Sequence, residues 1–299
     1  MAEPSIPVNL FNPGQVFACL GFLEAAEVLC GDAEGGFDWS DEADVRFRLR
    51  AGGHDNPFGV ILGFLAEAEI ERCAPCGYTD EGVATEGVLN LSDTFPSPKK
   101  ADWTFLPVRL VASQRPCIDL SHWTDGSGRN DFKLYAGNRS AANIARAMLR
   151  GTREKLKKEQ GAGDMKTRGV ATLWETSRQD LETNPFDVLT LMGGSFNFDP
   201  RGAWTSIDAG YSPNDQKHGV AASPVVEILA AVGLEHARPD EHETRRVRYG
   251  AWSGLLPPIL ARPALAGASI AGPVRTFGFT FAGTKHNKVV TFAQEETST

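Results

Sequence analysis

The apolar positions near the start of the chain predict a capped helix that ends before Gly31. Asn12 is a suitable N-cap, Pro13 takes the first helical position, and Gln15 lies where a capping-box partner belongs. Apolar side chains then recur at helical spacing from Val16 onward. Gly31 supplies the stop signal. This segment is therefore interpreted as a largely buried helix.

The next segment alternates between apolar and basic residues, which predicts a strand with a basic outer face. Its apolar face consists of Val45, Phe47 and Leu49. Its basic face consists of Arg46, Arg48 and Arg50. The pair Asn56-Pro57 then repeats the capping signal of the first helix before another apolar run, and predicts a second helix.

The rest of the chain mixes both periodicities. Residues 104–113 and 117–123 are typical of strands, and residues 138–164 predict the longest helix, ended by Gly161 to Gly163. Ser223-Pro224 begins another capped helix that closes at Gly233. The last part alternates as a hairpin whose turn lies between Gly283 and Asn287.

This order of elements favours an α+β fold with mixed helices and a mainly antiparallel sheet, because strands and helices do not alternate as regular βαβ units. No Rossmann-type core is expected. Two sub-domains are predicted, residues 1–165, which end in a basic helix, and residues 166–299. A single domain is the alternative.

Composition narrows the class of protein. The chain has 299 residues, a formal net charge of −8 and a pI of about 5.3, which argue against a generally basic binder of nucleic acid. No apolar run approaches the roughly 20 residues that span a bilayer, and the first residues lack the features of a signal peptide. We therefore expect a cytoplasmic protein without membrane contact. Five cysteines, an odd number, do not form a secreted disulfide scaffold.

Motifs for catalysis and for nucleotide binding are missing. The sequence contains no phosphate-binding loop, no dinucleotide fingerprint and no hydrolase signature. Only Gly14 occupies the entry turn of the first helix, and one glycine cannot form a nest of backbone donors. We predict no catalytic residue and no cofactor. Any of the six histidines has a suitable pKa for a general base, but no nucleophile or orienting acid is recognisable beside one of them.

The pair Cys73-x-x-Cys76 raises the question of a metal. Together with Cys117 and His122 it would form a three-cysteine, one-histidine zinc site. The gap between the two halves is much longer than in compact zinc modules, so an incidental pair is favoured and no metal is predicted.

Charge is distributed unevenly along the chain. Residues 1–45 contain nine acidic residues and neither lysine nor arginine, whereas residues 129–168 contain eleven basic and four acidic residues. Such cationic density suits phosphate contacts, which dominate affinity for nucleic acids without reading sequence. The predicted phosphate contacts are Arg129, Lys133, Arg139, Arg146, Arg150, Arg153, Lys155, Lys157 and Lys158. A second set of phosphate contacts, called the second track, is predicted at Arg46, Arg48 and Arg50. A solvated helix face is the alternative.

Aromatic residues add two further candidates for recognition. Trp123 and Tyr135 flank the start of the basic segment and are predicted to stack on unpaired bases. The turn at residues 199–202, followed by Trp204 and Tyr211, forms a second candidate recognition surface, with a buried hairpin as its alternative.

Several long segments resemble a CRISPR-associated family of type I-U (I-G) effector complexes, the Csb-three or Csx-fourteen group. They are spread over most of the chain: IPVNLFNPGQVFACLGFLEAAEVLCGDAEGGF, DLSHWTDGSGRNDFKLYAGNRSAANIARAML, SFNFDPRGAWTSIDAGYSPNDQ, SPVVEILAAVGLEHARP and RYGAWSGLLPPILARPAL. The resemblance implies a non-catalytic subunit of a Cascade-like ribonucleoprotein, similar to its large subunit, and a guide-backbone subunit is the alternative.

The resemblance also implies the partners. These are the other effector subunits, a guide RNA, target DNA and a recruited helicase-nuclease. The implied role is PAM recognition or stabilisation of the opened strands, while base pairing with the guide supplies sequence specificity. Two alternatives remain open beside this role: a guide-processing ribonuclease that uses His122 or His218 as a general base, and a purely protein-binding scaffold.

Overall fold

A computed structural model describes residues 3–72, 108–120, 134–135, 141–153, 165–192, 194–202, 220–269, 272–284 and 287–296. Within these ranges the fold is α+β with antiparallel sheets, as predicted. The seven helices there are α1 (Pro13–Leu29), α2 (Pro57–Glu67), α3 (Ala141–Arg150), α4 (Val170–Thr176), α5 (Arg178–Thr183), α6 (Pro224–Gly233) and α7 (Pro258–Leu265).

The strands form several small sheets. They are β1 (Ser5–Pro7), β2 (Glu34–Asp38), β3 (Arg46–Arg50), β4 (Glu69–Arg72), β5 (Val108–Val111), β6 (Ile118–Leu120), β7 (Thr152–Arg153), β8 (Met165–Thr167), β9 (Thr190–Leu191), β10 (Ala221–Ala222), β11 (Asp240–Glu243), β12 (Arg246–Trp252), β13 (Val274–Thr284), β14 (Asn287–Val290) and β15 (Gln294–Glu295). The orders are β1-β3-β2, β4-β5-β6, β7-β8, β10-β9 and β11-β12-β13-β14, and β15 also pairs with β13.

Helix α1 is the centre of the molecule. Every residue from Pro13 to Ala26 is buried, as expected for a helix that is apolar on all sides. It packs against α6, whose ten residues are all buried as well. The two backbones approach each other at Gly21 and Gly233, where a side chain would meet a carbonyl oxygen of the other helix. Glycine at these two positions permits the close approach of the two helices.

The N-caps predicted at the starts of three helices are confirmed, whereas the capping box predicted at Gln15 is wrong, because Gln15 Oε1 accepts from Asn9 N and not from Asn12 N. The side chain of Asn12 accepts a hydrogen bond from Gln15 N at 3.2 Å and begins α1. Asn56 does the same for α2, accepting from Gly59 N at 3.0 Å, and Ser223 does so for α6. Each cap satisfies one of the free N–H groups of the first helical turn.

Strand β3 confirms the predicted alternation, because Phe47 and Leu49 are buried while Arg48 and Arg50 point outward. The C-terminal hairpin is confirmed too, since β13 and β14 pair up to Thr284 opposite Asn287.

The long helix predicted over residues 138–164 is wrong. Helix α3 ends at Arg150, and Gly151 follows it with a positive φ of 74°. That conformation is accessible to glycine and terminates a helix. The chain then continues as strand β7, which pairs with β8. Helix periodicity alone missed this stop because the basic residues beyond it still have high helix propensity.

Elements on both sides of residue 165 share one hydrophobic core. Tyr249 Oη of β12 donates to Leu10 O at 2.6 Å, and Trp252 Nε1 donates to Gly35 O at 2.8 Å. The division into residues 1–165 and 166–299 stays a prediction, and this shared core favours its alternative, a single domain.

Candidate functional site

Two arginines of the predicted basic helix are engaged inside the chain. Arg150 of α3 donates to Ala66 O at 3.0 Å and to Glu67 O at 2.5 Å, which are carbonyls at the end of α2. It also forms an ion pair with Glu69 at 2.9 Å. A guanidinium at a helix C-terminus satisfies free carbonyls and complements the helix dipole. Arg150 therefore fastens α3 to α2.

Arg146 lies one turn earlier on the same side of α3. It donates to Asn143 Oδ1 at 3.1 Å and to Ile70 O at 3.5 Å. Both Arg146 and Arg150 were predicted to contact phosphate. Their guanidinium groups also hold α3 against α2 and β4, and since Arg146 is exposed, the predicted phosphate contacts stay predictions.

Three exposed cations of the basic segment lie on or directly after strands β7 and β8. Arg153 on β7, Lys166 on β8 and Arg168 just after it are all exposed. Among the described residues, the side chains of Lys166 and Arg168 have no acidic partner within ion-pair distance. We call β7, β8, Arg168 and the connecting residues 154–164 the basic hairpin.

The connection between β7 and β8 carries Lys155, Lys157 and Lys158, which lie outside the described residues. The same is true of Arg129, Lys133, Arg139 and Trp123. Their predicted contacts with nucleic acid stay predictions. In sequence, residues 153–168 of the basic hairpin contain six basic and three acidic residues.

The second track on β3 is neutralised by neighbouring acids. Arg46 pairs with Asp44 at 3.2 Å and donates to Ser5 Oγ at 2.9 Å. Arg48 pairs with Asp38 and Arg50 pairs with Glu34, both across the β2–β3 register. In the antiparallel register of β2 and β3, Glu34 lies directly opposite Arg50, whereas Asp38 lies opposite Arg46 and reaches Arg48 diagonally. This face is therefore a set of matched charges rather than a cationic track.

Tyr135 is part of the core. Its side chain is 2% exposed and packs edge-on against Phe196, with 5.7 Å between ring centroids. Burial raises the pKa of its hydroxyl. A ring in this position has no free face on which a base can stack, so the stacking prediction for Tyr135 is not supported by its placement.

The metal hypothesis involves mostly residues outside the described ranges. Cys117 is described and exposed, whereas Cys73, Cys76 and His122 are not described. Across the ranges that the structure describes, no group of three or more histidine, cysteine, aspartate or glutamate side chains is arranged to hold a metal ion.

The sequence does not predict the most highly organised polar group, which lies between the starts of α1 and α6. We call Asn12, Asp199, Arg201, Ser223 and Glu227 the buried polar cluster. Asp199 accepts from Asn12 Nδ2 at 3.2 Å, from Ser223 N at 3.1 Å and from Arg201 Nε at 2.9 Å. Its carboxylate thus lies at two helix N-termini, where negative charge is stabilised.

Arg201 connects this cluster to the surface. Beyond Asp199, it donates to Phe186 O at 2.7 Å and pairs with Asp187 at 3.0 Å. Arg201 belongs to the second candidate surface proposed from the turn at residues 199–202. Trp204 and Tyr211 of that surface lie outside the described residues.

Glu227 of α6 organises the loop that carries Asp199. Its carboxyl accepts from the backbone N–H groups of Phe196 at 2.7 Å, Phe198 at 3.0 Å and Asp199 at 2.8 Å. Burial is the main effect on its pKa and raises it to about 8. The three N–H donors act in the opposite direction, and the charge of Asp199 raises the pKa further.

Glu227 makes stability depend on pH. The unfolded carboxyl titrates near 4.5 and the folded one near 8, so unfolding releases a proton between these values. The stabilising contribution of the protonated form is complete below pH 4.5 and is lost as the pH rises towards 8. We expect the free energy of unfolding to fall by several kcal/mol more over this window in the wild type than in Glu227→Gln. Urea unfolding of both proteins across pH 4.5–8.5 measures this difference. The same pH dependence of the unfolding free energy in the two proteins would contradict the prediction.

A cleft of about 330 Å³ lies beside the buried polar cluster. Its floor and walls carry the side-chain amides of Asn9, Asn12, Gln15 and Asn184, and Phe292 stands at its edge. We call it the amide cleft. Local sequence signals identify Asn12 and Gln15 only as capping residues, because the partners that make them part of a cleft lie far away in the chain.

None of the helices within the described ranges is long and apolar enough to cross a membrane. Across known proteins, no family model, no curated protein and no solved structure matches this chain.

Proposed function

We propose that this chain is a non-catalytic subunit of a type I-U (I-G) CRISPR effector ribonucleoprotein, which contacts guide RNA, target DNA or both through its basic hairpin. The observation that carries the proposal is the pair of exposed cations Lys166 and Arg168, which have no acidic partner among the described residues and lie directly after the lysine-rich segment 154–164 in the sequence. The resemblance of five long segments to that CRISPR-associated family supplies the biological setting.

The basic hairpin suits a phosphate backbone better than the other arginine-rich surfaces do. The arginines of β3 are each matched by an acid, and Arg146 and Arg150 hold α3 in place. Cations without intramolecular partners can neutralise phosphates and release counterions, which drives binding without sequence readout. Sequence specificity would come from base pairing with the guide.

The scaffold alternative has its own supporting observation on another surface. A cleft of about 400 Å³ is lined by Glu27, Asp32 and Glu34, and beside them stands Ile259, of which 72% is exposed. An exposed apolar side chain among acids suits a neighbouring protein with basic and apolar residues. This surface is where we place contact with other effector subunits. The two roles are compatible, and the nucleic-acid role is the one tested first.

The double variant Lys166→Glu with Arg168→Glu is expected to bind single-stranded RNA or DNA more weakly. The loss of affinity should be the same whatever the nucleotide sequence. Losing two phosphate contacts makes the slope of log association constant against log salt concentration less steep by about 1.4, at roughly 0.7 per contact for a single strand. Fluorescence anisotropy at several salt concentrations measures both quantities.

The matched control is Arg178→Glu with Arg246→Glu. It makes the same change of charge at exposed arginines on α5 and β12, which already have acidic partners. It should leave the salt slope near the wild-type value. Equal slopes for the hairpin variant and the wild type would overturn the assignment to the hairpin. Cleavage of repeat RNA by the wild type, lost in His122→Ala or His218→Ala, would overturn the non-catalytic role.

A further inference from the structure

We propose that the amide cleft binds a nucleobase, which stacks on Phe292 while Gln15 donates a hydrogen bond to its edge. The proposal rests on the proposed function only for the source of the base, an unpaired nucleotide of a bound strand. A free nucleoside has the same chemistry and is the second source that the experiment distinguishes.

Gln15 is the first observation. Its side chain is 4% exposed and lines the cleft. Its Oε1 accepts a hydrogen bond from Asn9 N at 2.7 Å, which orients the amide. The other end, Nε2, has no hydrogen-bond partner among the described residues. A nearly buried donor that is oriented by the backbone and left unpaired at a cleft wall is arranged to meet an acceptor from outside.

Phe292 is the second observation, and it is independent of the first. Its ring is 52% exposed, although the neighbouring Ala293 is buried and Ala293 N donates to Phe11 O at 2.8 Å. Its backbone is therefore held in place while the ring stands free at the edge of the cleft. Every base has a face that can stack on such a ring, and this stacking tolerates sequence differences.

The charges around the cleft favour a neutral planar ligand. Asp44 is paired with Arg46 and Asp187 is paired with Arg201, so among the described residues that line the cleft no cation is left over for a phosphate. Asn184 Nδ2 donates a 2.9 Å hydrogen bond to Asp187, and the side-chain Oδ1 of Asn184 remains as an acceptor. Donor and acceptor amides beside a phenyl ring match the edge and face of a nucleobase, while the sugar and phosphate stay outside.

The size of the cleft agrees with this ligand. About 330 Å³ lies at the lower end of the volumes of small-molecule sites, roughly 300–1,000 Å³. One base fits in this space, whereas a duplex does not. The cleft therefore suits a base that is unpaired and turned out of its strand.

The experiment uses the full chain with adenosine, guanosine, cytidine and uridine, and separately with a mixed-sequence single-stranded RNA. Binding is measured by ligand-observed NMR and calorimetry. Two variants remove one interaction each. Phe292→Ala removes the ring. Gln15→Glu keeps the side-chain oxygen that accepts from Asn9 N and removes the Nε2 donor. Phe292→Tyr keeps stacking, and Leu191→Ala truncates an apolar side chain that is 51% exposed and does not line the cleft.

At least one nucleoside should bind the wild type, and Phe292→Ala should weaken it by about fivefold or more, the lower end of base stacking on an aromatic ring. Gln15→Glu should change the preference among the four bases. Phe292→Tyr and Leu191→Ala should bind as the wild type does. No binding of any nucleoside, or equal affinity for wild type and Phe292→Ala, would overturn the base site.

The outcomes separate this inference from the proposed function. If RNA binds with the expected salt dependence but Phe292→Ala has no effect, the cleft inference fails and the hairpin stands. If nucleosides bind through Phe292 and RNA does not bind, the ligand is a free nucleoside. In that case the proposed contact with nucleic acid fails instead.

Discussion

Replacing Gly21 by alanine is expected to destabilise the protein by about 3 kcal/mol. A Cβ atom at this position would lie 1.9 Å from Leu229 O, and that oxygen belongs to the backbone of α6. A carbonyl inside a helix cannot rotate away as a side chain would, so α1 and α6 must separate. Because both helices are buried, the separation opens the centre of the core.

Gly63→Ala is the matched control for this change. Gly63 is also a helical glycine, but a Cβ there would meet its nearest neighbour, Trp174, at an ordinary distance of 3.5 Å. Alanine in place of glycine within a helix then stabilises the protein by about 0.5–1 kcal/mol. Urea unfolding of both variants compares the two free energies. A Gly21→Ala protein as stable as the wild type would show that the two helices do not meet at this point.

Replacing Asp199 by alanine is expected to cost about 3–5 kcal/mol, the usual result of breaking a buried ion pair by removing one partner. Asp199 is 1% exposed and receives hydrogen bonds from Asn12, Ser223 and Arg201. Its loss leaves these donors unpaired and the guanidinium of Arg201 partly uncompensated. The effect should spread to the starts of both α1 and α6.

Asp187→Ala tests the exposed end of the same arginine. Asp187 is well exposed, and exposed ion pairs contribute about 0–1 kcal/mol. We expect this variant to stay within about 1 kcal/mol of the wild type, whereas Asp199→Ala falls well below it. Thermal and urea unfolding measure the difference. Similar stability of the two variants would mean that Asp199 is not the buried anchor of the cluster.

Local sequence patterns were sufficient to predict much of the fold. The caps at Asn12, Asn56 and Ser223 each depend on a side chain and an N–H group three residues further on, so their spacing in the chain predicts the contact. The alternation in β3 likewise reports which side chains face inward. The end of α3 at Gly151 was the clearest failure, because one glycine outweighed the helix propensity on both sides of it.

The candidate sites depended on contacts that no local pattern contains. The basic residues looked alike in sequence, yet Arg150 binds carbonyls of α2 more than eighty residues earlier, whereas Lys166 remains at the surface. Glu227 looked like an ordinary polar position on a helix. Its burial follows only from the return of residues 196–199 across the start of α6.

The sequence by itself determined where the helices capped by Asn12, Asn56 and Ser223 begin, which face of β3 is apolar, and that the fold mixes antiparallel sheets with helices. These properties arise from hydrogen bonds and burial patterns within a few residues. Only the tertiary structure decided which charges are paired, which polar groups are buried, and that Gln15 and Phe292 meet at one cleft. The physical reason is that pairing and burial depend on atoms brought together from distant parts of the chain, which no local spacing records.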